Sequence, residues 1–149
     1  MISTQHPDLQ LITDDAMLRT RLATVLSSAI RRQLWITFLD ADGRETGVIL
    51  PCEDYPLRPD DRIETRDGVR SAAVVLADGF ARIMGEFEFA SIIAVWERRG
   101  GDAVRAAERR WAAAFGAALR EAGVAVRGQF LLHDHGLRHL SPDDLVDIR

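Results

Sequence analysis

The carboxylates with the clearest chemical potential flank the end of an apolar run, Ile92 to Val95. Glu97 closes this run, and Glu108 lies two turns into the helix predicted to follow it. Two neighbouring carboxylates can act as acid and base, or they can hold a divalent ion. Four arginines stand close to them in the sequence: Arg98, Arg99, Arg105 and Arg109. So many counter-charges favour ion pairs over a free catalytic pair.

The same loop carries Gly100 and Gly101 just before the predicted helix. Glycines and free N–H groups at a helix N-terminus can bind phosphate, and the neighbouring arginines could assist. The segment is neither a Walker loop nor a dinucleotide fingerprint. Asp102 is expected to cap the helix and to repel an anion, which favours a purely structural loop.

Two further features have a weaker chemical signal. His133-Asp134-His135 invites a metal interpretation, but Gly136 follows, so these residues are better explained as a hairpin turn. Cys52 has no histidine near it in sequence, which favours a simple packing role over a nucleophile.

The three tryptophans differ in their predicted surroundings. Trp35 lies in a predicted strand and Trp111 on the apolar stripe of a helix, so both are expected in the core. Trp96 lies between apolar Val95 and charged Glu97. It is expected at the rim, where it could anchor an interface or simply cover the core.

Hydrophobic periodicity and turn residues predict the elements that position these residues. Helices are expected over 15–32, 69–84 and 102–122, the second ended by Gly85 and the third by Gly123. Strands are expected over 34–40, 45–50, 87–96, 124–132 and 137–140, with a proline-rich connecting loop over 51–67. Because the run 92–95 does not alternate with polar residues, both of its faces should be covered. The predicted class is α/β (α+β), a mixed sheet covered by helices in the order α-β-β-α-β-α-β-β.

Composition predicts one domain over residues 1–149, long enough to bury a proper core. A net charge of −4 gives no global attraction to nucleic acid or an acidic membrane. No apolar run reaches the roughly 18 residues that cross a bilayer, and the start of the chain is not shaped like a signal peptide. We therefore expect a cytoplasmic protein. All 19 basic residues are arginine, which suggests a bacterial GC-rich genome more than a nucleic-acid role.

The stretch LWITFLDADGRE and the unbroken segment from Ala90 to Asp143 resemble the RadC-like branch of the JAB/MPN metalloprotease family. The similarity covers residues 34–143, preceded by a helical lead-in (1–33) and followed by a short tail (144–149). It rests on the order, spacing and hydrophobic pattern of the elements. In this family a strand runs into His-x-His-Pro-Ser-Gly, and a later Asp completes a zinc site. The resemblance thus implies a JAB/MPN-like fold.

The zinc motif departs from the family pattern. The family histidines correspond to Val95 and Glu97, and the aspartate corresponds to Glu108. The strand expected to offer a general base reads Val-Ile-Leu at 48–50. Zinc needs about three protein ligands, so the resemblance supports the fold and argues against zinc hydrolysis.

The leading hypothesis is a catalytically silent JAB/MPN-like domain that binds another protein or itself, with no cofactor and no metal. Its predicted binding surface is listed here: Trp96, Glu97, Arg98, Arg99, Gly100, Gly101, Arg105 and Arg109. One alternative is a hydrolase of isopeptide, peptide or nucleotide substrates that uses Glu97 and Glu108. Another is an arginine-based binder of nucleic acid or nucleotides.

Overall fold

A computed structural model describes residues 9–146 of the chain. Its helices are α1 (Asp15–Val25), α2 (Ala72–Phe87) and α3 (Ala106–Glu121), with a 3-10 turn at Pro142–Leu145. Its strands are β1 (Gln33–Leu39), β2 (Glu45–Glu53), β3 (Arg62–Thr65), β4 (Gly68–Ser71), β5 (Ser91–Glu97), β6 (Ala125–His133) and β7 (Gly136–His139). His6 and the tail residues 147–149 lie outside the described part. Within residues 9–146, every helix is too short or too polar to span a lipid bilayer.

Five strands form one mixed sheet in the order β2-β1-β5-β6-β7. Strand β1 pairs antiparallel with both β2 and β5, whereas β5 and β6 run parallel because α3 connects them. The short β7 closes the sheet as a hairpin with β6. The predicted mixed α/β class is confirmed.

The central strand β5 contributes to two separate hydrophobic clusters. Ile92, Ala94 and Trp96 point to the face covered by α2 and α3. Ile93 and Val95 point to the opposite face, which α1 covers with its own leucines. The prediction that both faces of this strand are covered is therefore confirmed. Consecutive residues at the strand end must also point in opposite directions.

The predicted loop over 51–67 is wrong in two places. Strand β2 continues to Glu53, and a second two-stranded sheet, β3 with β4, occupies 62–71. Arg66 and Asp67 make the turn between these strands, and Gly68, the first residue of β4, has a φ of 108° that favours glycine. Ser71 then caps α2 by accepting the Val74 N–H at 3.3 Å, so this helix begins at residue 72 and not at Val69.

Three predicted helix ends also move. Helix α1 stops at Val25, and residues 26–32 return to the sheet without helical structure. Helix α2 passes through Gly85 and ends at Phe87, where Glu88 adopts a left-handed conformation. Helix α3 begins at Ala106, so Asp102 is not its cap. Arg105 occupies that position, and its N–H is bound by the Glu108 carboxylate at 2.9 Å.

Candidate functional site: an arginine-lined cleft at the end of β5

A cleft of about 370 Å³ opens where β5 ends and α3 begins, which is the position expected from the sequence. Its lining residues come from three parts of the chain: Arg32, Tyr55, Arg98, Arg99, Arg105, Ala107, Glu108 and Trp111. We call this the arginine cleft.

Glu97 does not belong to the arginine cleft. Its side chain lies on the α1 side of the sheet, where it accepts N–H groups from Ile30 at 2.6 Å and Arg31 at 3.0 Å. It also accepts the Gln33 side-chain amide at 2.9 Å and the Trp35 indole at 2.7 Å. Burial raises the pKa of this carboxyl, but the four N–H donors outweigh it and leave the pKa below its ordinary value. Glu97 is therefore a structural anion that holds residues 30–31 against the sheet.

Glu108 has a different partner, so the Glu97–Glu108 pair of the hydrolase alternative is not formed. Both Arg98 and Glu108 are buried, and the Arg98 guanidinium binds the Glu108 carboxylate through two N–H groups. Arg98 also donates to the carbonyl oxygens of Gly101 at 2.5 Å and Ala103 at 2.6 Å. The ion pair expected for Glu108 is present, and it fixes the loop between β5 and α3.

Trp96 is a core residue and not an exposed interface anchor. Only 1% of it is exposed, and its ring packs against those of Trp111 and Phe115. Its indole N–H donates to the buried Gln129 side chain at 2.8 Å. Trp111 is equally buried, as expected, whereas Trp35 is only partly buried.

The remaining predicted binding residues divide between two surfaces. Arg99 and Arg105 are exposed and line the arginine cleft. The Arg105 guanidinium lies directly over Gly100, so a side-chain carbon at this position would collide with it. Gly101 is exposed in the same loop. Arg109 faces away from the cleft and donates to the carbonyl oxygen of Asp144 at 3.1 Å.

Arg32 and Tyr55 complete the cleft and were not predicted. The Arg32 guanidinium lies 3.6 Å from the centre of the Tyr55 ring and donates to the carbonyl oxygens of Tyr55 and Pro56. The Trp111 indole donates to the same Pro56 carbonyl at 2.9 Å. Burial raises the pKa of Tyr55 to about 12. Only the arrangement of aromatic and arginine residues in space reveals this wall, since its members are more than 20 positions apart.

The arginine cleft is strongly positive in a protein that is negative as a whole. Four arginines and one glutamate line it, so the formal lining charge is 4 − 1 = +3, against −4 for the chain. Arg98 neutralises Glu108, and Arg99 donates to Asp134 at 2.7 Å. Among the described residues, Arg32 binds only carbonyl oxygens and the Tyr55 ring. Within residues 9–146, the Arg105 guanidinium has no hydrogen-bond or ion-pair partner. The uncompensated charge therefore lies on Arg32 and Arg105.

The two histidines at 133 and 135 lie at the end of β6 and in the turn that follows it. His133 is buried at the end of β6, and its Nδ1 accepts the His135 backbone N–H at 3.1 Å. Burial lowers the pKa of His133, with smaller and partly opposing effects from nearby charges. Their ring centres are 6.3 Å apart. Among residues 9–146, no three His, Cys, Asp or Glu side chains lie close enough together to share a metal ion. The predicted turn after β6 is present.

Cys52 is half-buried on β2, and burial raises the pKa of its thiol. A raised pKa leaves little thiolate at neutral pH, which is unfavourable for a nucleophile.

Comparison with protein-family models and with curated proteins finds no match to this sequence.

Proposed function

We propose that this chain is a catalytically silent JAB/MPN-like domain that binds a protein partner through the arginine cleft. The observation that carries the proposal is the uncompensated positive charge of Arg32 and Arg105 at the strand end where the resembled family holds its metal. The partner is expected to present an acidic segment, because arginine forms bidentate pairs with carboxylates.

The proposal that the domain is catalytically silent is supported by the surroundings of the three positions that correspond to the zinc ligands of the resembled family. Val95 is buried in the core beneath α1. Glu97 is on the same side of the sheet and already accepts four hydrogen bonds. Glu108 is on the other side and is neutralised by Arg98. These residues supply neither three ligands nor the open position that a catalytic zinc requires, and they leave the hydrolase alternative without a paired carboxylate.

A short acidic segment fits the cleft better than a nucleic acid does. A long polyanion needs an extended basic track, whereas the cleft is small and Asp102 and Asp134 lie on exposed positions beside it. The exposed guanidinium group of Arg105 can pair with a carboxylate of the partner. The buried rings of Tyr55 and Trp111 form a rigid wall behind it.

The proposal is tested by fluorescence anisotropy with a labelled, glutamate-rich peptide at low and at moderate salt. We expect saturable binding that weakens with salt, and a loss of about tenfold in affinity for Arg105→Ala. Arg66→Ala is the matched control, since Arg66 is an exposed arginine in the β3–β4 turn. Equal binding by both variants, or no binding by the wild type, would contradict the proposal.

Measurement of the zinc content of the purified protein tests independently whether the domain is catalytically silent. Stoichiometric zinc that survives dialysis would overturn this part of the proposal.

A further inference from the structure

The start of α3 is the feature of the arginine cleft whose polar groups are least accounted for. We propose that it forms a seat for a phosphate monoester, made by the first-turn N–H groups of α3, the Arg105 guanidinium and the Tyr55 hydroxyl. This inference rests on the proposed function and names the anionic group that the cleft takes: a phosphorylated side chain of the partner.

The residue that caps α3 cannot accept the N–H groups of the helix start. A helix start leaves backbone N–H groups without partners, and Ser, Thr, Asp or Asn usually accepts them. Here the cap is Arg105, whose guanidinium has donors and no acceptor. Among the backbone N–H groups at the start of α3, the Glu108 carboxylate accepts that of Arg105. Within the described residues, no side-chain acceptor reaches the N–H groups of Ala106 and Ala107, which are exposed, and Ala107 lines the cleft.

A second feature of the arginine cleft is the buried hydroxyl of Tyr55. Tyr55 is only 8% exposed and lines the arginine cleft. Within residues 9–146 its hydroxyl has no hydrogen-bond partner, although buried polar groups are nearly always paired. With a pKa of about 12, the hydroxyl stays protonated at neutral pH and can donate to an anion.

A third feature is the Arg105 guanidinium, which has no carboxylate partner among the described residues. It lies over Gly100, which has a φ of 112° and no side chain to block it. A guanidinium without a carboxylate partner is available for a two-pronged contact with phosphate oxygens. The negative charge of Glu108, in the first turn of α3, is neutralised by Arg98.

The geometry favours phosphate over a carboxylate because the donors are of three kinds: backbone amides, a guanidinium and a hydroxyl. A phosphate monoester offers three terminal oxygens and nearly two charges at pH 7, whereas a carboxylate offers two oxygens and one charge. The amides of a helix start are a recurrent phosphate site.

The test compares three probes by calorimetry: inorganic phosphate, a phosphoserine peptide, and the same peptide with glutamate at the phosphorylated position. We expect the phosphopeptide to bind at least tenfold more tightly than the glutamate peptide, with NMR shifts at the Ala106 and Ala107 amides. Affinity should rise between pH 5 and 7.5, as the second phosphate proton with a pKa of about 6 is lost. Binding of free phosphate as tight as that of the phosphopeptide would support the seat and identify a small phosphate as its source.

Arg105→Ser separates loss of binding from loss of folding. Serine at this position completes a capping box with Glu108, so Tm should rise by about 2–4 °C while phosphopeptide affinity falls at least tenfold. Arg66→Ser removes the same charge elsewhere and should leave the affinity unchanged, and Tyr55→Phe should lower it about threefold.

Two outcomes overturn the inference and can be told apart. Equal affinity for the phosphopeptide and the glutamate peptide rejects the phosphate seat and leaves the proposed function standing. No binding of either peptide rejects both.

Discussion

Substitution of Glu97 tests whether its carboxylate has a structural or a catalytic role. Glu97→Gln replaces one of its two oxygens by an NH₂ group, which cannot accept a hydrogen bond. One oxygen now binds Ile30 and Arg31, and the other binds Gln33 and Trp35. Whichever way the new amide turns, two N–H donors lose their acceptor.

The magnitude follows from which donors water can reach. Residues 30 and 31 are exposed, whereas Gln33 is buried, so the amide should turn its NH₂ group towards Ile30 and Arg31. An unsatisfied donor costs about 1–3 kcal/mol when fully buried. For two donors that water can reach, we expect the low end for each, which gives a loss of about 2 kcal/mol in the free energy of unfolding.

Urea denaturation followed by tryptophan fluorescence measures this loss. Glu53→Gln is the matched control, since Glu53 is exposed and forms only a surface ion pair with Arg31 at 3.1 Å. It should change stability by less than about 0.5 kcal/mol. The reasoning is refuted if Glu97→Gln is no more destabilising than Glu53→Gln, because a carboxylate retained for catalysis would not be needed for folding.

Three further predictions concern stability. Because the pKa of Glu97 is lowered in the folded state, its contribution should be present above the unfolded value of about 4.3 and be lost as pH falls below it. Urea melts from pH 6 to 3 should show a shallower decline for Glu97→Gln than for the wild type. Arg98→Ala and Glu108→Ala should each cost about 3–5 kcal/mol, since each leaves a buried charge unpaired, and calorimetric melts should show a smaller loss for the double variant than the sum. Trp96→Phe should lower the free energy of unfolding by about 2 kcal/mol, because the side chain loses volume and Gln129 loses its partner. Under conditions where the variant is fully folded, its affinity for the peptide should equal that of the wild type. A loss of affinity would show that Trp96 belongs to the binding surface.

Local patterns were sufficient for most of the fold. The apolar run 92–95 predicted a strand covered on both faces, and the structure places a separate cluster on each. The alternation in β3 and β4 was obscured by prolines and charges in the preceding loop. The course of the chain after α1 could not be predicted, because residues 30 and 31 are bound by Glu97, a residue more than 60 positions away.

A cleft lies at the end of β5, the place where the sequence predicted a site, but its lining residues differ from the predicted set. Trp96, Glu97 and Arg98 follow one another, yet alternation along a strand sends adjacent side chains to opposite faces. Sequence proximity therefore grouped Glu97 with Glu108, which the sheet separates. Arg32 and Tyr55 enter the cleft through long-range packing, and no local pattern marks either of them.

The proposed function requires that an acidic ligand binds in the arginine cleft. An NMR titration of the full chain with the glutamate-rich peptide measures this residue by residue. We expect chemical-shift changes confined to the Tyr55 region, the loop from Arg99 to Gly101 and the start of α3 around Arg105. These changes should be absent in Arg105→Ala. Shifts centred on the β3–β4 hairpin, or none at saturating peptide, would contradict the proposed function.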